Sequence, residues 1–407
     1  MATQLVDPSF VPPPHVDPAG VQHCELFDRK IVYDNPFETI IPEIHKGPAA
    51  FYADNIMFEQ PGWVVRRHAD IRHVFSDWEH FSPRGMSGFP DLIGEDWVAI
   101  NELDPPYHTA VRTVVNKFFA PSKMMALEGQ VRQRARDLIE KFKDRGECEY
   151  LKDFSINFPI SIFLDLYGLP QEQMALFYDL EQRLINGTSN EMRRDALLEI
   201  RAILLEAMED RRRNPTDDLL TASLHIEVDG KKWTDTQIFG FIFTLYLAGL
   251  DTVTSNLGMH IHHLATHADD QETMRTNSYM GNVVAIEELM RAFAIVSISR
   301  FCVKETELAG VKMMPGDAVI CSTPLASRDP EAYDDPNTVK LDRRVNHLTL
   351  GHSDHRCLGR HLARRELQIA HDEFIKSIPS FKIEPGFKVP FFLSSMMHIE
   401  ELPLTWS

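Results

Sequence analysis

The feature that most constrains the fold is a long apolar segment in the second half of the chain. Residues 238 to 250 carry no charged side chain, and Thr234 and Gln237 precede them with the spacing of a capping box. A helix running from Thr234 to His267 would be about 45 to 50 Å long at ~1.5 Å per residue. The charge-free run is too short for a membrane span, so the sequence predicts a helix that crosses the core of a large protein.

The composition fits one large folded unit. Of 407 residues, 43% are hydrophobic and 25% are charged, which is ordinary for a globular protein with a substantial core. The net charge of −18 argues against nucleic acid or an anionic membrane as a general partner. Prolines crowd the first residues, so we expect an extended N-terminal arm over residues 1–35 and a single domain over residues 36–407.

The cysteines indicate a reducing compartment. There are five of them, scattered without CxxC spacing: Cys24, Cys148, Cys302, Cys321 and Cys357. That pattern argues against a disulfide framework and against a zinc site. The amino terminus also lacks the basic start and apolar run of a signal peptide or membrane anchor, so we expect a soluble cytoplasmic protein.

One cysteine stands out by its neighbours. Cys357 lies just ahead of an apparent helix start, between Gly351 and Gly359, with His355 and Arg356 immediately before it. Unpaired N–H groups at a helix start and nearby positive charge favour the thiolate, which is a good iron ligand. The alternative is a buried structural cysteine in a glycine-rich turn, which would be the better interpretation of a lone cysteine.

A second group of chemically active residues interrupts the apolar helix. Ala248 and Gly249 would let a flat ligand approach closely, and the Thr252 hydroxyl can bond the Ala248 carbonyl and loosen the helix. Asp251 and Thr252 place a carboxylate and an alcohol side by side in a core, which is costly unless they are used. The alternative is that Asp251 marks the point where the helix returns to solvent.

The cysteine segment resembles the haem-binding signature of the cytochrome P-450 superfamily, Phe-Gly-x-Gly-x-His-x-Cys-x-Gly followed by Leu-Ala-Arg. The matching residues are Gly351, His355, Cys357, Gly359, Leu362, Ala363 and Arg364. The chain departs from the signature at Leu350, where Phe is usual, and at Ser353, where Gly is usual. The resemblance implies haem b with Cys357 as the iron ligand. It also implies a mainly α fold with a small β region, the triangular helical prism of that superfamily.

The segment around Asp251 resembles the family's oxygen-activation motif. By that resemblance Asp251 and Thr252 are the catalytic residues, which organise proton delivery. The resemblance also implies a structural pair of Glu288 and Arg291, three residues apart on one helix face, with no catalytic role.

Further resemblance assigns the cofactor contacts. Pro105 and Pro106 can lead into a helix on which His108 and Arg112 share a face, and two donors there suit a carboxylate pair. A solvated surface pair is the alternative, but the segment resembles the family's propionate-binding helix. The implied cofactor-binding residues are His108, Arg112, Ala248, Gly249, Arg300, His355, Cys357 and Gly359.

The substrate pocket is expected to be largely apolar. Residues 82–100 suit an irregular loop that covers such a pocket, although a plain surface loop explains the pattern equally well. The implied lining residues are Phe89, Trp97, Val98, Leu247, Ala248, Val296, Ile298 and Met396. GLDTV, LGRHLARRE and the terminal LPLTW resemble the bacterial camphor-hydroxylase group, which suggests a terpenoid or norisoprenoid substrate such as a camphor-like or ionone-like ring. Asp96, Trp97 and Val98 stand where the camphor enzyme offers a tyrosine, which argues against camphor itself.

Arginines predict a docking surface for an acidic electron donor. Arg356, Arg360 and Arg364 recur every four residues and would form a basic stripe if the segment were helical through Arg356. Solvated side chains are the alternative. The resemblance implies a [2Fe-2S] ferredoxin, reduced by an FAD-containing reductase. The predicted surface comprises Arg72, Arg112, Arg344, Arg356, Arg360 and Arg364.

The expected activity is insertion of one atom of dioxygen into a C–H bond by a ferredoxin-dependent monooxygenase. Two other classes stay open: a peroxide-using haem-thiolate enzyme, and a non-catalytic haem-based sensor or ligand-binding protein. The acid and alcohol at Asp251 and Thr252 argue against the first. Locally, a turn at residues 314–317 predicts a hairpin within residues 307–321.

Overall fold

The structure of this chain is a computed structural model that describes residue 6 and residues 9–57, 60–85, 99–186 and 189–407. The predicted pocket residues Phe89, Trp97 and Val98 lie outside these ranges. Within them the α-helices are α1 (Ile40–Ile44), α2 (His68–Ser76), α3 (Tyr107–Val115), α4 (Pro121–Ala126), α5 (Glu128–Ile139), α6 (Asn157–Tyr167), α7 (Met174–Asn186), α8 (Asn190–Arg213), α9 (Leu219–Ser223), α10 (Asp235–Thr266), α11 (Ala268–Thr276), α12 (Tyr279–Ala292), α13 (Thr323–Ser327) and α14 (Arg360–Ser377).

The strands are short and form a small β region. They are β1 (Val21–Gln22), β2 (Lys30–Val32), β3 (Ala50–Met57), β4 (Gln60–Val65), β5 (Phe81–Ser82), β6 (Glu147–Glu149), β7 (Glu227–Val228), β8 (Lys231–Lys232), β9 (Ser297–Cys302), β10 (Thr306–Leu308), β11 (Val311–Met313), β12 (Ala318–Ser322), β13 (Phe381–Ile383), β14 (Phe391–Leu393), β15 (His398–Ile399) and β16 (Pro403–Trp406). The largest sheet has the order β1-β3-β4-β12-β9-β5, and two three-stranded sheets have the orders β13-β16-β6 and β15-β14-β2. The predicted mainly helical fold with a small β region is confirmed.

Helix α10 is the predicted core helix. Its capping box is present, since the Gln237 N–H donates to the Thr234 hydroxyl and the Thr234 N–H donates to the Gln237 side chain. The helix has 32 residues and is therefore about 48 Å long. By length and composition alone it could cross a membrane, but more than half of its most apolar window is buried inside the protein. Helices α6, α8 and α14 and strands β13 and β15 pack around it.

A hairpin forms in this region, but the sequence placed its turn at the wrong residues. Residues 314–317 connect β11 to β12, but these two strands do not pair with each other. Strand β11 pairs with β10 across Ala309 and Gly310, both of which have positive φ, whereas β12 lies between β4 and β9 in the largest sheet. The left-handed backbone at Ala309 and Gly310 closes the hairpin, and a glycine is the easier residue to place there.

The amino-terminal residues pack against the same core. Strand β1 pairs in parallel with β3, with Val21 opposite Tyr52. Val16 and Phe27 are buried in the central hydrophobic cluster. The division into an arm and a domain at residue 35 stays a prediction.

Candidate functional site

Cys357 lies in a tightly turned loop immediately before α14. Its N–H donates to the Leu350 carbonyl at 2.7 Å, and Gly359 is the cap residue of the helix that begins at Arg360. Gly351 has φ 71° and Ser353 has φ 54°. A left-handed conformation at a residue with a Cβ costs ~1–2 kcal/mol, so serine at position 353 holds a backbone that glycine would adopt more easily. Serine at this position therefore adopts a left-handed backbone within the turned loop.

The electrostatic surroundings of the sulfur were predicted only in part. A backbone N–H at the helix start, that of Gly359, favours the thiolate as predicted, but the charges that act on the sulfur are those of Arg112, Arg360 and Arg364 and not the predicted His355 and Arg356. Burial is the larger effect, however, and it raises the pKa of Cys357 above its ordinary value. The expectation that the loop alone favours the thiolate was therefore wrong, because desolvation outweighs the positive field. The positive charge of a metal ion bound to the sulfur would stabilise the thiolate and offset this effect of burial.

Four cationic or hydrogen-bond-donating side chains gather beside the cysteine loop. The buried ring of His108 stacks on His355 with centroids 3.9 Å apart, and both are near Arg112 and Arg300. Burial, and then neighbouring positive groups, lowers the pKa of His108 to about 4 and that of His355 to about 2. Both ring nitrogens of His108 and Nε2 of His355 lack a hydrogen-bond partner within the described part of the chain. Such a cluster suits buried carboxylates, which would accept from the two guanidinium groups and from the one N–H that the neutral His108 ring carries.

The middle of α10 offers a flat, open surface. Ala248 and Gly249 are exposed although Tyr246 and Leu250 beside them are buried. A Cβ added at Gly249 would meet no atom within 4 Å. The Thr252 hydroxyl donates to the Ala248 carbonyl at 2.9 Å, as predicted. This open face suits a flat macrocycle, and the His108, Arg112, Arg300 and His355 cluster suits acidic arms on such a group.

Asp251 faces a different environment from Ala248. Its side chain is half-buried, and its carboxylate accepts a hydrogen bond of 3.4 Å from the Ser255 hydroxyl. Burial raises its pKa above the ordinary value. Glu181 on α7 and His398 on β15 lie close enough to interact with it electrostatically. Sequence reasoning missed both, because they come from segments far apart in the chain and carry no local motif.

Of the five described members of the predicted pocket, Ala248 is exposed and the other four are half-buried. Val296 and Met396 form an isolated antiparallel bridge, and Ile298 follows on β9. Leu247 lies one residue before the open part of α10. All four pack against the central hydrophobic cluster, so the lining they provide is apolar.

The predicted arginine surface is only partly a free surface. Arg72, Arg344 and Arg356 are exposed. Helix α14 begins at Arg360, so Arg356 precedes the helix and the condition for a continuous stripe is not met. The Arg364 guanidinium donates twice to Glu287, at 2.5 and 2.9 Å, and this pairing holds it against α12. Arg112 is half-buried and donates to the Arg356 carbonyl at 2.8 Å, which ties α3 to the cysteine loop.

The predicted structural pair is present and buried. Glu288 and Arg291 are both 0% exposed, and two hydrogen bonds of 2.9 and 2.8 Å join them. Three backbone carbonyls beyond α12 also accept from the guanidinium, those of Ser327, Pro336 and Thr338. The pair therefore fixes the chain that leads toward the cysteine loop.

Comparisons with known proteins agree with this geometry. A sequence model of the family "Cytochrome P450" matches residues 165–398. A probable cytochrome P450 127A1 of Sinorhizobium fredii is 34% identical over 404 residues, which cover 97% of each chain. The crystal structure of cytochrome P450 CYP101C1 superposes with a TM-score of 0.88 at 28% identity, covering 98% of this chain and 100% of the other. That of CYP101J2 gives 0.86 at 26% identity, with the same coverage.

Proposed function

Because this chain belongs to the cytochrome P450 family, and so is a haem-dependent monooxygenase, we propose that it hydroxylates a small hydrophobic terpenoid or norisoprenoid with electrons from a [2Fe-2S] ferredoxin. Haem b supplies the oxidising chemistry when it is bound. The balanced reaction is R–H + O2 + 2 e⁻ + 2 H⁺ → R–OH + H2O. The protein must therefore hold the haem, exclude water, position the substrate and supply two protons.

The proposed cofactor contacts follow from the site. The Cys357 sulfur would ligate the iron, and His108, Arg112, Arg300 and His355 would bind the two propionates. A propionate would accept from the N–H of the neutral His108 ring, which has no partner among the described residues, and this removes a desolvation cost. Ala248, Gly249 and Gly359 would leave room for the flat ring, since a Cβ at either glycine meets nothing within 4 Å.

The proton supply is the observation that carries the proposal. The Thr252 hydroxyl lies next to the open part of α10, where it bonds the Ala248 carbonyl. The preceding residue, Asp251, accepts from Ser255 one turn farther along the same helix. An alcohol next to a carboxyl can hold and pass a proton at a defined position. A peroxide-using enzyme has no need for such a pair, and a non-catalytic haem protein has no need for proton supply.

Replacing Thr252 with alanine tests this role. We expect electron consumption to continue while product formed per electron falls about tenfold, with the missing electrons found in hydrogen peroxide. Turnover is measured with a terpenoid ketone that shifts the haem from low to high spin. Thr266→Ala is the matched control, because Thr266 makes the same bond to the carbonyl four residues earlier, at 3.0 Å, at the far end of α10. Equal coupling in both variants would remove Thr252 from proton delivery.

The substrate class is inferred from the lining. Leu247, Val296, Ile298 and Met396 are apolar and half-buried, which favours a hydrophobic ligand held mainly by shape. The resemblance to the camphor-hydroxylase group supports a terpenoid ring.

The proposed electron donor docks beside the cysteine loop. Arg356 in that loop is exposed, and Arg72 on α2 is exposed and bonds His352 in the same loop at 3.2 Å. Arg344 adds a third exposed charge in the segment that precedes the loop. Positive charge here suits the acidic surface of a [2Fe-2S] ferredoxin, which an FAD-containing reductase would reduce. The five cysteines are free, which supports a cytoplasmic location.

Arg356→Glu should weaken this docking. We expect the KM for ferredoxin to rise about three- to tenfold at low salt, with the difference shrinking as salt is added, because exposed charges are screened. Arg213→Glu is the control, since Arg213 is an exposed residue at the end of α8, which packs against α7, α9 and α10. Unchanged ferredoxin kinetics in Arg356→Glu would place the docking surface elsewhere.

A further inference from the structure

A small polar cavity lies beside α10 at Asp251. Its volume is about 60 Å³, which is enough for a few water molecules at ~10–15 Å³ each. The polar residues that line it come from three separate segments: Tyr178, Glu181 and Gln182 on α7, Asp251, Thr254 and Ser255 on α10, and His398 and Glu400 at β15. Among the described residues that line it there is no lysine or arginine. The cavity therefore gathers carboxyl groups without a permanent counter-charge.

The inner end of this cavity holds a buried acid, Glu181, which bonds the Asp251 backbone and still has one oxygen without a partner among the described residues. The Glu181 side chain is 3% exposed, and its Oε1 has no hydrogen-bond partner within the part of the chain that the structure describes. Burial, and then the charge of Asp251, raises the pKa of Glu181 well above its ordinary value. Two carboxyl groups this close do not both ionise readily, so they hold a proton between them. A buried acid of this kind is costly to keep, and it points to a polar occupant of the cavity.

The outer end of the cavity reaches solvent. Glu400 keeps 41% of its side chain exposed and His398 keeps 17%, and a 3.0 Å hydrogen bond joins Nε2 of His398 to the Glu400 carboxylate. Burial lowers the pKa of His398, but the hydrogen bond to Glu400 and the charge of Asp251 outweigh it, so the pKa is raised. The charge of Glu149 also contributes to raising the pKa of Tyr178, which lines the cavity. The exposed fraction of the side chain falls from Glu400 through His398 to Glu181, so the cavity is open to solvent near Glu400 and closed off near Glu181.

We propose that this cavity is a proton-uptake path, in which Glu400 and His398 take protons from solvent and Glu181 passes them, through water in the cavity, to Asp251. The inference rests on the proposed role of Asp251 and Thr252, and it names the residues that supply them. Each transfer breaks one O–H or N–H bond and forms another on the next group, so no residue is oxidised or reduced. Two such passages deliver the two protons that accompany the two electrons of each turnover.

The first test measures the coupling between the proposed path residues through the pKa of His398, without turnover. In the holoenzyme labelled with ¹³C-histidine, the His398 signal is assigned by its loss in His398→Gln and titrated by NMR. We expect its pKa to fall in Glu400→Gln, in Glu181→Gln and in Asp251→Asn, because each removes a negative charge or a proton-sharing partner. Glu401→Gln is the matched control, since Glu401 neighbours Glu400 in sequence but pairs with Lys152 at 3.5 Å. The charges of Glu400 and Asp251 act on His398 directly, so a histidine outside any path would respond to those two variants but not to Glu181→Gln, and that result would overturn the inference.

The second test measures coupled turnover in D2O and H2O. We expect Glu181→Gln and His398→Gln each to lower product per electron about three- to tenfold and to increase the solvent isotope effect, whereas Glu401→Gln matches the wild type. If Asp251→Asn lowers coupling while the other variants match the control, protons enter elsewhere and only this inference fails. If Asp251→Asn also matches the control, the proposed role of Asp251 fails. Glu400→Gln changes an exposed residue, so it keeps both tests valid should a buried variant not fold.

Discussion

Cys357→Ala is expected to abolish the red-shifted carbon monoxide spectrum of thiolate-ligated haem and to reduce monooxygenase turnover at least about a thousandfold. The reason is that electron density from a thiolate ligand favours O–O cleavage, and no other cysteine can replace this one. Cys24, Cys148, Cys302 and Cys321 are all buried, whereas Cys357 keeps part of its surface open. The spectrum of the reduced, purified protein with carbon monoxide is the measurement.

Two further variants make the result specific. Cys357→His should retain haem, held by the propionate-binding cluster, but show the spectrum of a histidine-ligated haem. Cys148→Ala removes a buried cysteine from β6, so the thiolate spectrum should be unchanged. Persistence of a thiolate spectrum in Cys357→Ala would mean that another residue ligates the iron, and the assignment of the site would be wrong.

The elements that the sequence predicted correctly depend on neighbours along the chain. The capping box of α10 needs only residues three apart, and so does the pair of Glu288 and Arg291. The bond from Thr252 to the Ala248 carbonyl spans one turn of helix. Residues three or four apart are neighbours on a helix, so these contacts follow once the helix forms, and the sequence pattern agrees with the structure there.

The features that the sequence did not reveal depend on how distant segments pack. Arg364 was read as a docking charge, but α12 brings Glu287 against it. The thiolate preference of Cys357 was inferred from its neighbours, whereas the burial that opposes it comes from the whole fold. The meeting of Glu181 and His398 beside Asp251 joins positions more than 200 residues apart in the sequence. Burial and long-range proximity have no signature in a single chain.

The pair of Glu288 and Arg291 shows how the fold supports the site from a distance. Glu288 accepts from Arg291 and from the Lys340 N–H at 2.9 Å, while Arg291 reaches the carbonyls of Ser327 and Pro336 at 2.8 and 2.7 Å. These bonds join α12 to the irregular chain between α13 and the cysteine loop. That chain has little regular secondary structure of its own, so the buried pair supplies much of what defines its path.

Arg291→Ala should therefore destabilise the protein by about 3–5 kcal/mol, because it removes the two bonds that Arg291 makes to the buried Glu288 carboxylate, leaving Arg343 and the Lys340 N–H beside it, and because it leaves several carbonyls without a donor. The free energy of unfolding in urea, together with the haem content after purification, measures this effect. Arg291→Lys should recover only part of the loss, since an ammonium group cannot make the two parallel bonds to the carboxylate. Arg344→Ala, at an exposed position in the same segment, should change stability by no more than about 0.5 kcal/mol. If the free energy of unfolding of Arg291→Ala lies within about 1 kcal/mol of the wild-type value and the variant binds haem normally, the pair does not organise this segment. The cysteine loop must then be positioned by the packing of α14 on α10 and α12.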